Sequence, residues 1–262
     1  MSRRLAYLGF GKKGFQWIFE GLFRLSTLGM NMGLCDNQKE NGEAFVLSYV
    51  KGKVPSGMDV IILDVGANEG KYSLLSDEIF GGKARVYSFE PSQKAFEKLC
   101  SNIKEKESVT PYRIALGARN RQDLLYSDRP GSPLSSLYKR DLEYCNISLA
   151  HEEQVKVKTI DGFCRDESIK RVHLLKLDAE GNELNILQGA RKMLDAGSID
   201  FIQFEFGGCD IDSRVFFKDF YLLLSPQYRI YRVLADGLRE LKRYSEAYEV
   251  FKTTNFLAER KV

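Results

Sequence analysis

Histidine is nearly absent: His151 and His173 are the only two in 262 residues. His173 opens an apolar, strand-like run and reads as a core residue, while His151 lies in a polar stretch where a solvated loop histidine is the ordinary outcome. No G-x-S-x-G elbow occurs, which disfavours a Ser/His/Asp hydrolase. The five cysteines (Cys35, Cys100, Cys145, Cys164, Cys209) are odd in number and lack C-x-x-C spacing, so they read as reduced thiols in a cytoplasmic setting. No apolar run approaches the ~18 residues that a spanning helix needs, and no h-region with a cleavage site occurs, so neither a transmembrane segment nor a secretory signal is expected. Without such a signal the sequon Asn146-Ile147-Ser148 carries no weight. Charge is not concentrated either: 39 Lys and Arg face 36 Asp and Glu, a net charge of +3. Nucleic-acid binders usually carry a basic surface or an appended basic module, so no nucleic-acid partner is expected and an RNA methyltransferase is disfavoured. Internal repeats and low-complexity segments are absent.

What is present is a single continuous unit from Asp59 to Pro91. The apolar run Val60 to Leu63 is too short for a helix and rich in β-branched residues, which fits a strand buried on both faces. Gly66 and Gly70 bracket a tight turn after Asp64; the helix that follows places Tyr72, Leu74, Leu75 and Ile79 on its apolar positions before Gly81-Gly82 ends it. A second strand, Arg85 to Phe89, ends at Glu90-Pro91. The glycine loop and Glu90 then share the carboxyl edge of a parallel sheet, where open α/β folds bind ligands. The series Asp64, Gly66, Asn68, Gly70 lacks the G-x-G-x-x-G spacing that seats a pyrophosphate at a helix N-terminus. An acid at the strand end repels phosphate and can hold a cationic amine, which points to a nucleoside cofactor with an amino-acid head; S-adenosylmethionine has that shape. Glu90 follows Asp64 by 26 positions (90 − 64), comparable with the ~20-residue spacing of the acid that takes ribose hydroxyls in nucleotide-binding folds. The loop spacing weakens the alternative of an NAD(P)-dependent oxidoreductase. A non-catalytic cofactor-binding protein would keep this unit but lose the acidic cluster farther along.

Upstream, Arg3, Arg4, Lys12, Lys13 and Arg24 against Glu20 give residues 1–35 a local charge of +4 amid many aromatics. Apolar residues from Phe15 to Leu28 fall at helical spacings. Such a helix packs as a cap on the acceptor side of the adjoining domain, or lies on an anionic membrane surface as a peripheral contact. A short helix over 39–50 and the linker Pro55-Ser56-Gly57 follow. Downstream, a helix over 92–106, with Ser92 as N-cap, faces the sheet through Phe96, Leu99 and Ile103. Val109 to Leu116 forms a third strand, ending at the corner Ala115-Leu116-Gly117. Short strands at Asp123–Ser127 and Gln154–Lys158 flank a long polar insertion, for which an acceptor-facing loop is expected. A short helix from Thr159 to Arg165 is capped by Thr159 or Asp161. Val172–Leu177 and Ile199–Phe206 are further strands, joined by a helix over 182–194. A helix over 213–224 and an antiparallel pair, Tyr228–Leu234 with Ala247–Leu257, close the chain.

Asp178, Glu180, Glu183 and Glu205 fall at or near the carboxyl ends of two parallel strands. Charged residues seldom end buried strands without a partner, and Lys176 offers one, so an ion-pair network is the structural alternative. In the functional reading, a carboxylate removes or orients the proton of an acceptor hydroxyl: Asp178 first, Glu180 supporting it in acceptor binding, and Glu205 at the adjacent strand end. Asp178 and Glu205 could instead hold Mg²⁺. That variant is disfavoured because no further ligand is identifiable, and no metal site is assigned.

The segments DVGANEG, FEPSQKAFEKLCSNI, LLKLDAEGNELNILQGARKML and FIQFEFG resemble the FkbM family of S-adenosylmethionine-dependent methyltransferases, with a weaker echo in NFLA at 255–258. LKLDAEGNE is the most specific piece. The resemblance implies an α/β fold: a Rossmann-like, seven-stranded methyltransferase sheet, mainly parallel, with an antiparallel C-terminal hairpin and helices on both faces. It implies O-methylation of a hydroxyl on a small molecule or carbohydrate. The cofactor is then expected at Asp64, Gly66, Ala67, Asn68, Gly70, Glu90, Pro91 and Ala115, the last in a corner that lies near the adenine in the family. Residues 1–55 read as an N-terminal helical extension and 56–262 as the methyltransferase domain.

Overall fold

The structure is a computed structural model that describes residues 9–33, 41–55 and 57–261; Arg3, Arg4, Cys35 and Ser56 lie outside the described residues. The chain begins with α1 (Gln16–Gly29), α2 (Glu43–Lys53), β1 (Val60–Val65), α3 (Lys71–Phe80), β2 (Ala84–Phe89), α4 (Gln93–Ile103) and β3 (Val109–Tyr112). Then come β4 (Ala115–Leu116), β5 (Arg121–Ser127), β6 (His151–Lys158), α5 (Ile160–Asp166), β7 (Val172–Leu177), α6 (Glu183–Gln188) and α7 (Arg191–Asp195). It closes with β8 (Ile199–Phe206), α8 (Cys209–Ser213), α9 (Phe217–Leu224), β9 (Tyr228–Leu234), β10 (Gly237–Glu240) and β11 (Thr254–Arg260).

The main sheet runs β10-β9-β11-β8-β7-β1-β2-β3. It is parallel from β3 to β8 and antiparallel across β11, β9 and β10. The expected seven strands become eight because β10 folds back on β9. Every residue of β1 and β7 is buried, as strands covered on both faces require. One face packs on Phe163, Leu187, Phe217 and Phe220. The other packs on Val46, Leu47, Val50, Tyr72 and Leu99, so α2 shares a core with the sheet.

Several expected elements are cut differently. The third strand stops at Tyr112, where Ile114 N–H donates to Tyr112 O and turns the chain, so Ala115 joins a second small sheet of order β4-β6-β5. His151 opens a strand of that sheet instead of sitting in a loop. The helix expected over 182–194 breaks at Gly189, whose backbone lies so close to Gly117 that a Cβ would come within 2.1 Å of its carbonyl oxygen. Likewise, the helix expected over 213–224 starts only at Phe217, after Arg214 takes a left-handed conformation (φ 60°). The closing strand begins at Thr254, since residues 246–248 form a 3₁₀ turn. Thr159 does cap α5, its Oγ1 accepting from Gly162 N–H at 3.0 Å.

The N-terminal helix forms where the periodicity places it but does not cap the domain through its apolar face: Thr27 is its one buried residue. Among the described residues it is tied down at its C-terminal end, where Gly33 N–H donates to Thr253 O (2.7 Å), Lys252 Nζ to Thr27 Oγ1 (2.9 Å) and Asn31 Nδ2 to Val233 O (3.1 Å). No helix among the described residues is long and apolar enough to cross a membrane.

Candidate active site

A cavity of about 480 Å³ opens at the carboxyl edge of the parallel strands. One arm is the loop after β1. Gly66 sits at φ +80°, and a Cβ there would come within 1.7 Å of Asp178 O, so no other residue fits. The N–H groups of Gly66 and Ala67 both donate to Phe89 O at 3.0 Å, which stitches the loop to the end of β2. Gly70, at φ +85°, caps α3 against the Leu99 side chain.

Glu90 holds this arm. Its Oε2 accepts from Asn68 N–H (2.9 Å) and its Oε1 from Ser92 N–H (2.8 Å). The Ser92 side chain makes no capping bond; instead the Gln93 N–H of the first turn donates to Glu153 Oε1 at 2.8 Å. Burial pushes the Glu90 carboxyl up to about 7, against the pull of those two N–H donors. Asn68 is left-handed (φ 48°), and its buried Oδ1 has no partner among the described residues.

Of the residues expected at a cofactor, Gly66, Asn68, Glu90, Pro91 and Ala115 line the cavity, whereas Asp64, Ala67 and Gly70 do not. Asp64 is the substantive correction. Its carboxylate points beneath the loop, accepting from Ser73 Oγ at 2.5 Å, and burial raises it to about 6 while Lys176 opposes. It braces α3 against the sheet and does not line the cavity.

The second arm is Asp178-Ala179-Glu180-Gly181, after β7. Glu183 organises it from below: Oε1 accepts from Ala179 N–H (2.6 Å) and Oε2 from Gly181 N–H (2.9 Å). Asp178, Glu180 and Glu205 all line the cavity. Asp178 Oδ2 accepts from Lys176 Nζ at 2.9 Å, and that ammonium also meets Glu43 at 3.5 Å. Burial alone would lower Lys176, but Asp178, Glu43 and Asp64 hold it well above the ordinary lysine value. Glu180, at φ 50°, binds Arg140 Nη1, and Ser136 Oγ donates to its carbonyl at 2.7 Å. Burial and Asp178 raise Glu180 to about 7. Burial, then Asp178 and Glu180, push Glu205 well above the carboxylate range. Glu205 has no hydrogen-bond or ion-pair partner among the described residues.

Sequence reasoning placed the insertion but missed its residues. Ser132, Leu134 and Leu137 form one wall, and Arg140 bridges Glu180 and Asp212. An arginine in a long polar stretch gave no signal of which acid it would reach. Asn182, whose Nδ2 donates to Leu116 O at 2.8 Å, was equally invisible although it fixes the Ala115-Leu116 corner. Glu183, Cys209 and Asp210 lie close enough to share an ion. Both Glu183 oxygens and Asp210 Oδ2 are already engaged by backbone N–H groups, the latter by Gly207 at 2.8 Å, so this trio is a brace for the loops.

A glycine loop held by an acid at the end of β2, facing an acidic rim across one cavity, is the arrangement of a Rossmann-like methyltransferase. Residues 64–232 match the Methyltransferase FkbM domain, and the chain belongs to that family. It is 28% identical to the hexuronic acid methyltransferase AglP of Haloferax volcanii over 55% of this chain and 54% of that protein. It is 23% identical to the 2-O-methyltransferase NoeI of Sinorhizobium fredii over 52% of this chain and 59% of that one. The chain thus spans little more than half the length of these relatives. A SAM-dependent O-methyltransferase of Thermotoga maritima aligns over 83% of this chain and 66% of that chain, at 13% identity and a TM-score of 0.42.

Proposed function

We propose that the protein transfers a methyl group from S-adenosylmethionine to a hydroxyl of a carbohydrate, the acceptor class suggested by the names of the two relatives. The observation that carries this reading is the pairing, in one cavity, of a ribose-competent acid with an unpartnered carboxylate. Both Glu90 oxygens are pinned from behind by backbone N–H groups. A carboxylate has about four lone-pair sites, so two remain for ribose hydroxyls. The orphaned Asn68 Oδ1 offers a further acceptor, and Ala115 and Leu116 form the wall that suits an adenine.

S-adenosylmethionine supplies an activated methyl group on a sulfonium. The chain must align a hydroxyl oxygen with it and take one proton. Asp178, first choice on sequence grounds, already accepts from Lys176 Nζ, and Glu180 is held by Arg140. Glu205 lines the cavity without a hydrogen-bond or ion-pair partner among the described residues, so we assign the proton to its ionised form. A Glu205 oxygen would take the hydroxyl proton as a bound S-adenosylmethionine supplied the methyl group. Asp178 and Glu180 hold neighbouring acceptor hydroxyls. The Lys176 pairing of Asp178 also disfavours a divalent ion between Asp178 and Glu205. On this reading the protein works in the cytoplasm, where Cys100, Cys145, Cys164 and Cys209 stay thiols, and any membrane contact is peripheral.

The test is Glu205→Gln assayed on a panel of sugar acceptors. A positioned general base contributes roughly 10² to 10⁴ in rate, so turnover falls by that factor while the cofactor dissociation constant stays near the wild-type value. Near-normal turnover in Glu205→Gln, with a collapse in Asp178→Asn, returns the proton to Asp178.

A further inference from the structure

The exposed helix α1 is the least expected feature of the fold. Trp17 (72% exposed), Leu25 (67%), Phe23 (54%), Leu22 (51%) and Leu28 (48%) all face solvent. A surface helix normally hides an apolar stripe of about 100° against a core. Here apolar residues occupy about two thirds of the circumference at 100° per residue, and the polar remainder carries Arg24 and Glu20. Lys12 and Lys13 precede the helix, both exposed, and Glu20 is the one acid of the described segment 9–33.

We infer that α1 docks the protein on an anionic lipid surface. The charge selects that occupant. A second copy in a two-fold dimer would set the same patch against itself, bringing Lys12, Lys13 and Arg24 of each copy together, whereas an anionic surface complements them. The attachment gives the docking a consequence. Thr253, which accepts from Gly33 N–H just beyond α1, also lines the cavity, and Lys252 Nζ lies 5.5 Å from the Phe23 ring centre. A helix lying on the surface therefore holds this edge of the cavity next to it. The acceptor class that fits is a sugar carried by a lipid, an extension that rests on the methyl transfer proposed above.

Trp17 is the only tryptophan in the chain, so its fluorescence reports on α1 alone. With phosphatidylglycerol vesicles at low salt, the full-length protein is expected to show a blue-shifted emission that resists aqueous quencher. Raising the salt should weaken the shift, and phosphatidylcholine vesicles should not produce it. Leu25→Glu with Leu28→Glu should abolish it while leaving far-UV circular dichroism and cofactor affinity unchanged. Glu90→Ala should lose cofactor but keep the shift, which separates docking from the catalytic reading. An unshifted spectrum with anionic vesicles at low salt overturns the proposal. So does a concentration-dependent shift without vesicles, accompanied by dimers in sedimentation.

Discussion

Cofactor affinity is expected to depend on pH through Glu90. Burial raises this carboxyl from 4.5 to about 7, so the folded protein binds the proton more tightly than the unfolded chain does. The neutral form therefore stabilises the ligand-free fold fully below about pH 4.5, and that contribution, at most about 3 kcal/mol, is lost as the pH rises through about 7. Accepting two ribose hydroxyls calls for the ionised form, so the ligand must expel the proton whenever it is present. One pH unit below the shifted value, expulsion costs about 1.4 kcal/mol, or about tenfold in affinity. Calorimetric titration of S-adenosylmethionine should show a dissociation constant that is flat above about pH 8 and worsens about tenfold per unit below about pH 6. Repeating it in buffers of different ionisation enthalpy should reveal nearly one proton released at the low end. Glu90→Gln should abolish the pH dependence. It should also weaken binding at neutral pH by about 1.5 to 3 kcal/mol, because the new NH₂ faces one of the backbone N–H groups that both Glu90 oxygens now satisfy. Affinity independent of pH in the wild type, with no buffer effect, would remove Glu90 from the ligand.

Two further outcomes follow from the loops. Gly66→Ala combines a left-handed φ with a Cβ 1.7 Å from Asp178 O; it should destabilise the fold by about 3 kcal/mol or more, and an unchanged urea midpoint would refute the close packing of the two arms. Arg140→Ala leaves Glu180 without its cation in a largely buried pair, a loss of about 3 kcal/mol. It should raise KM for the acceptor while leaving cofactor affinity near normal; partial rescue by Arg140→Lys is expected, and an unchanged acceptor KM counts against a cavity wall held by Arg140.

The unit from Val60 to Glu90 was legible because its signals are local: an apolar run, glycines where φ must be positive, and an acid at a strand end. The same locality misled for Asp64. Being last in its strand says nothing about which face it takes, and the strand's period of two puts it beside Ile62 on the α3 side, under Ser73. The insertion was legible only as an insertion. Its partners Glu180, Asn185 and Asp212 lie 40 or more residues from Ser136, Tyr138 and Arg140, and no periodicity in a polar loop encodes such distances. Exposure of α1 was not legible either, because an amphipathic pattern specifies a face to be covered without saying what covers it.

Why the functional side chains meet at all follows from a polar row crossing the sheet. Asp64 is the register partner of Ser88 on one side and of Lys176 on the other, and Lys176 is the partner of Gln203. The row is fully bonded: Ser73 Oγ to Asp64, Lys176 to Glu43 and Asp178, Tyr72 OH to Gln203 Oε1 at 3.0 Å, and Gln203 Nε2 to Asn255 Oδ1 at 3.1 Å. A fully satisfied buried network of this kind rigidifies a core and specifies it. A slip of one residue in any strand would turn its member of the row into the apolar layer on the opposite face, among Leu63, Leu175 and Phe204. The row therefore fixes register across β2, β1, β7 and β8 far more strictly than interchangeable aliphatic side chains could. Two residues beyond its members, on the same face and one step closer to the edge, come Glu90 after Ser88, Gly66 after Asp64, Asp178 after Lys176 and Glu205 after Gln203. Each strand thus delivers its cavity residue at the same level, and the precision of the site is inherited from buried polar groups that do not line the cavity.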